Sequence, residues 1–260
     1  LPAPGKHNTS MKTILGSVLP ANQTIQQDLD SAIDILFNHP NIGPFVATRL
    51  IRALVTSNPS PAYIARVAAV FNGNGQTSRG DLAATVRAVL TDVEARDDNP
   101  PPDFGRLRTP MQHLASFSRA LNIHISGAGF GYLFYGMNEG LLDAPSVFGH
   151  YSPMFHIPKS PLFGPEFQIY SPSDAVNRAN FLYGFIYSPW PINPALTAFA
   201  NAPGNAALVD AVDKALLLGR MSTTLRSAIA AALPSQYDQN ARAITALYLA
   251  ATSGEYLIQR

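Results

Sequence analysis

The chain has 260 residues, 47% hydrophobic and only 13% charged, with a formal net charge of +1 and no cysteine. That much apolar material supports a core and excludes a charge-rich disordered chain, while the near-zero net charge argues against a polyanion or nucleic-acid binder. Absence of cysteine excludes disulfides, thiolate metal sites, iron–sulfur clusters and cysteine nucleophiles.

Residues Leu1–Gln23 carry few apolar positions and read as an irregular leader. Thr24–Phe37 reads as a helix, because Thr24 and Gln27 form a capping pair and Leu29, Ile33, Leu36 and Phe37 recur at helical spacing. A second helix is expected over about Ile42–Thr56, with Ile42, Phe45, Val46, Leu50, Ala53 and Leu54 on its apolar face. Ser60 and Pro61 open a third, ending near Phe71, since proline suits the first helical position. Asn72–Gly75 is a loop. Ser78 is the expected cap of a helix over Arg79–Leu90, and Asp92–Arg96 a short helical turn. Three consecutive prolines, Pro100–Pro102, mark an exposed connection before a helix over Pro110–Leu121.

Ser126–Gly131 is Gly-rich but lacks the spacing of a phosphate loop or a dinucleotide fingerprint, and reads as a turn before the aromatic run Tyr132–Tyr135. Gly140–Pro172 is dense in proline and aromatics and has no helical period. Helices resume over Ser173–Tyr187, with Ser173 as cap, and are broken by Ser188–Pro191. Three more are expected at about Asn205–Leu218, Ser222–Leu233 and Asp238–Ala251. No strand pattern runs beyond a few residues. The expected fold is therefore all-α: one irregular multi-helix domain over 1–260, with a long Pro/aromatic loop region. It admits a subdivision into 1–108 and 109–260. No apolar run approaches the ~18–20 residues of a membrane span, and no signal peptide opens the given chain.

Particular residues then carry a resemblance. The run from His39 to Phe71, HPNIGPFVATRLIRALVTSNPSPAYIARVAAVF, followed by RGDLAATVRAVLTDVEAR over Arg79–Arg96, resembles the bacterial domain-of-unknown-function 1800 family. Pro145–Phe148, Pro165–Ile169 and Thr252–Arg260 look like further blocks of it. The likeness is to the C-terminal part of such proteins, without the N-terminal helical half they usually carry. Where family members tend to read Leu-Arg-Glu-Pro, this chain has Leu107-Arg108-Thr109-Pro110. The resemblance implies an exported bacterial protein, extracytoplasmic in location. It implies no activity.

Charge is unevenly placed. Between Arg49 and Arg108 lie eight Arg, five Asp and one Glu, while Thr109–Ser173 holds only Arg119, Glu139, Asp143, Lys159 and Glu166. Three candidate sites follow. Arg49, Arg52 and Arg66 are candidates for an anion pocket, since guanidinium groups accept carboxylate, sulfate or phosphate bidentately; the bland reading is inter-helix ion pairs and caps. Glu166, with Asp174 or His150, is the candidate acid/base set, because a lone acid in apolar surroundings acquires the raised pKa of a general acid. Burial of Glu166 against an arginine would remove that reading. The aromatic stretch containing Tyr151 and Phe155 is a candidate binding surface, by stacking, if its rings are exposed. His150, His156 and Glu166 have loose spacing for a metal site, and no metal or cofactor is called. Two functions are carried forward: a partner- or polymer-binding module for an extracellular protein or polysaccharide, and a hydrolase of an extracellular polymer using Glu166. Whether the chain is an enzyme stays open at this point.

Overall fold

In a computed structural model of the chain, residues 5–123, 135–187, 193–233 and 238–260 are described. The Gly-rich turn, most of the aromatic run, His124 and the Ser188–Pro191 break lie outside them. The described residues are predominantly helical, with two sheets of two strands each. By contacts the chain divides into two compact units, one of residues 1–54 and 59–99 and the other of residues 55–58 and 100–260.

The first unit opens with a feature the leader did not announce. β1 (Lys12–Ile14) and β2 (Ser17–Leu19) form an antiparallel hairpin. Its two-residue turn, Leu15-Gly16, has φ of 48° and 83°, the left-handed pair that matches strand twist. Helix α1 (Ile25–Asn38) carries the expected capping box of Thr24 and Gln27. Its buried side chain is Asp28, which accepts from Lys12 Nζ and His7 Nε2 at 2.5 Å each and so ties the leader and hairpin to the helix. Leu29, Ile33, Leu36 and Phe37 face solvent instead.

Helices α2 (Ile42–Leu54), α3 (Pro61–Asn72) and α4 (Leu82–Thr91) pack together around Ala47, Ile51, Tyr63, Val67, Phe71 and Val89. The buried face of α2 is Gly43, Ala47 and Ile51 rather than the bulkier positions expected, and Phe45 is exposed. Small residues allow close approach: a Cβ on Gly43 would lie 2.5 Å from Asn72 Oδ1. Ser60 caps α3 with Pro61 in the first turn, as expected. The cap of α4 is a correction. Asp81, not Ser78, accepts from Ala84 N, and the helix starts three residues later than the spacing suggested. Arg96 N–H to Asp92 O closes the short turn after it.

The second unit is built around α10. Its helices are α5 (Pro110–Ala120), α6 (Pro172–Tyr187), α7 (Asn193–Ala200), α8 (Asn205–Val212), α9 (Thr223–Ala231), α10 (Gln239–Thr252) and the single turn α11 (Gly254–Leu257). Ala243, Ala246, Leu247, Ala250 and Ala251 on α10 are fully buried, and α6, α7, α8 and α9 pack on them. The dense alanine of the C-terminal sequence is what lets one helix take so many neighbours. Thr109 caps α5 in a capping box with Gln112. Ser171, not the expected Ser173, caps α6 from two positions earlier, with Pro172 in the first turn. α8 runs into a π-helical turn over Asp213–Leu217 and stops at Leu218 and Gly219, with φ of 58° and 78°. α7, which opens on Asn193-Pro194, was not anticipated.

β3 (Arg106–Leu107) pairs antiparallel with β4 (Ile258–Gln259), so the chain terminus closes back on the entry to α5. Gly105, at φ 111°, makes this possible. A Cβ there would meet Gln259 O at 2.5 Å. Asn58 belongs to this unit and pairs both ways with the backbone of Phe163, at 2.9 Å each way, holding the Pro/aromatic loop as a strand neighbour would.

Candidate functional site

The Pro/aromatic loop is pinned from below by a buried charge cluster. Glu166 lies in a short 3-10 turn, Pro165–Ile169, and its Oε1 accepts from Arg106 Nη2 at 2.8 Å. Both side chains are almost wholly buried, at 2% and 6% exposure. Burial pushes the Glu166 carboxyl above its ordinary range, and the Arg106 charge pulls against that shift. Tyr151, half-buried above the pair, hydrogen-bonds Arg106, and its hydroxyl is pushed up to about 12 by burial and then by Glu166. This is the arrangement under which the acid/base reading of Glu166 loses its premise: the carboxylate is enclosed against an arginine and does not line the open depression beside His150.

Asp174 is held in a different role. Its carboxylate accepts from Asn138 Nδ2 at 2.7 Å, Ser171 N at 3.0 Å and Ser171 Oγ at 2.6 Å, closing the first turn of α6. Three hydrogen bonds to one buried carboxylate are a cap. His150 is partly exposed and lines an open depression of about 400 Å³ with Asn138, Gly140, Asp143, Pro145, Gln168 and Ile169. Thus the structure places Glu166, Asp174 and His150 in one region but gives each its own partners. His156 turns to Pro161 O and stacks on Phe163 at 4.1 Å. Among the described residues, no three His, Asp or Glu converge as metal ligands.

The loop that lines this depression exposes apolar side chains. Leu142 and Val147 are 99% and 96% exposed, Phe148 69%, Met154 53% and Leu141 40%. Of the aromatics from Phe148 to Tyr170, only Phe148 is exposed; Tyr151, Phe155, Phe163, Phe167 and Tyr170 are half-buried. Phe155 instead supplies backbone, its carbonyl accepting from Gly164 N at 3.0 Å. A continuous stack of ring faces is therefore not displayed.

The arginine set of the first unit is occupied. Arg66 donates to both carboxylate oxygens of Asp92, at 2.8 and 2.7 Å, and to Glu94 at 3.0 Å. Those hydrogen bonds raise its pKa further. Arg49 lies over the Phe45 ring at 5.2 Å. Burial, and then the Arg49 charge, hold the Arg52 pKa down. Asp81 caps its own helix. These are structural uses of the charge.

Sequence reasoning passed over Asn138, Asp143, Gln168 and Arg106. Asp143 stood out only as one of few charges in its region, and nothing local marks the other three.

No helix among the described residues is long and apolar enough to cross a membrane. No curated protein and no solved structure matches the chain. The model of the family described as a protein of unknown function, DUF1800, matches residues 2–258, end to end through both units, and the chain belongs to that family.

Proposed function

We propose that the chain is a binding module of an exported bacterial protein, and that it takes an apolar segment of a partner protein on the loop Leu141–Met154. The extracytoplasmic setting rests on the family resemblance. The observation that carries the reading is the concentration of Leu141, Leu142, Val147, Phe148 and Met154 at the surface of one loop beside a polar depression. Single exposed apolar residues are ordinary, but several on one loop mostly mark a contact surface. Leu141, Leu142, Val147 and Met154 offer no ring face to a sugar and Phe148 is the single exposed ring of the stretch, which favours a protein over a polysaccharide. Asn138, Asp143, His150 and Gln168 supply donors and acceptors for peptide groups at the edge. The hydrolase alternative lacks comparable support, because Glu166 is closed by Arg106.

The test pairs a phage-displayed random peptide library with a glycan array, read for the wild type and for Val147→Ser/Phe148→Ser. The wild type should enrich peptides with several large apolar residues. The double variant should bind them about tenfold or more weakly with an unchanged melting temperature. Equal enrichment by the variant, or binding to glycans alone, overturns the reading.

A further inference from the structure

We propose that the solvent-facing side of α1 docks an amphipathic helix of a partner protein whose edge carries lysine or arginine. The surface lies within the first unit and is independent of the loop Leu141–Met154. Leu29, Ile33, Leu36 and Phe37 recur at i, i+4, i+7 and i+8, which places them on one side of the helix, and all four are exposed. Phe37 is partly engaged, its ring meeting Phe71 edge-on at 6.2 Å and lying under Arg79. Leu29, Ile33 and Leu36 form the stripe that remains. A helix ordinarily turns such a stripe to a core, and on a surface the same spacing suits a second helix.

Charge selects the occupant. Asp30 and Asp34 each follow a stripe residue by one position, so two exposed carboxylates four apart run along one edge of the stripe. Asp30 accepts from Gln26 Nε2 at 2.8 Å, and among the described residues no cation pairs with either carboxylate. The cations that meet α1 are spent elsewhere. Lys12 and His7 go to Asp28, and Arg79 to Phe37 O at 3.0 and 2.8 Å and His39 O at 3.3 Å. Asp34 also lines an open depression of about 530 Å³, with Asn38, His39 and, from the hairpin, Leu15 and Ser17. Asn38 gives its Nδ2 to Asp34 O at 2.9 Å, which leaves its side-chain oxygen as an acceptor. A lysine or arginine set one position beyond the partner's apolar row meets this acidic edge.

Other occupants fit worse. A second copy of the chain would set Asp30 and Asp34 against like carboxylates. A bilayer carrying anionic lipid would meet the same repulsion.

Fluorescence anisotropy titration of the full 260-residue chain tests this with two labelled helical peptides, each about 18 residues long. Both repeat leucine at i, i+4 and i+7; one carries lysine beside that row, the other glutamate. The lysine peptide should bind about fivefold or more tightly than the glutamate peptide. Asp30→Lys/Asp34→Lys should invert the preference, and Ile33→Ser/Leu36→Ser should weaken the lysine peptide about tenfold. Val147→Ser/Phe148→Ser should leave its binding unchanged; a loss there would place the peptide on the loop and overturn the proposal. Equal binding of the two peptides, or a preference that survives the charge reversal, overturns it as well. So does a wild-type dimer in sedimentation that Ile33→Ser/Leu36→Ser dissolves, since the stripe would then belong to a second copy. All four substituted side chains on α1 are exposed, so the melting temperature should hold; should the serine variant fail to fold, the charge reversal decides.

Discussion

His113 shows how one buried side chain couples the second unit to pH. Its ring is fixed to Ala251 O and packed against Tyr256, with centroids 5.4 Å apart. An unfolded histidine takes up its proton near pH 6.5, whereas this ring does so only at about 4. Between those values the unfolded chain binds more protons, so stability is complete above about pH 6.5 and falls as the pH drops toward 4. The difference corresponds to roughly 3 kcal/mol at full expression. Urea unfolding from pH 7 to pH 4 should show that loss, and His113→Phe should flatten this limb of the profile. An unchanged slope in the variant would assign the acid sensitivity to other groups. Glu166 poses the complementary case. Glu166→Leu strands the Arg106 charge in the interior and should cost about 3 kcal/mol, while Arg106→Met/Glu166→Leu should recover at least half of it. If the double variant is no more stable than the single, the pair contributes through packing and not through charge.

Elements expose the gap between forming a helix and burying it. The caps at Thr24 and Ser60 were legible because a side chain that accepts from the residue three positions on leaves a local signature, and Ser222 and Asp238, placed only as helix starts, cap theirs in the same way. The faces of α1 and α2 were not. Their large apolar side chains suggested the core, yet α2 turns Gly43, Ala47 and Ile51 inward, because close approach to α3 selects small residues. Two tests belong here. Gly105→Ala must adopt φ near 111° and push against Gln259 O, so it should destabilise the chain by about 2 kcal/mol or more and weaken the β3–β4 pairing. Amide exchange at Leu107 and Ile258 would report it directly. Leu15→Asn goes the other way. The site is exposed at 63% with φ 48°, which asparagine tolerates better than leucine, so a gain of about 0.5 kcal/mol is expected in thermal melts.

For the molecule as a whole, low charge and exposed apolar surface go together. The arginines of the first unit serve ion pairs, ring contacts and backbone carbonyls, and the net charge is +1. Association through Val147 and Phe148 should therefore depend little on ionic strength. Raising salt tenfold should change the affinity for an apolar peptide by less than about twofold in a fluorescence titration. A steep fall with salt would instead point to an electrostatic surface.

Local chemistry alone determined most helices, several of their caps, the absence of cysteine chemistry and, through the matching runs, the family. These depend on neighbours within four or five residues, which a sequence states directly. What only the tertiary structure decided is which face of each helix is covered and what each charge touches. Arg106 and Glu166 are 60 residues apart in the chain, and His113 and Ala251 138 apart. No local spacing encodes such pairs, since chain folding alone brings them together. That is why Glu166 read as an open acid in the sequence and stands in the structure as the buried partner of an arginine.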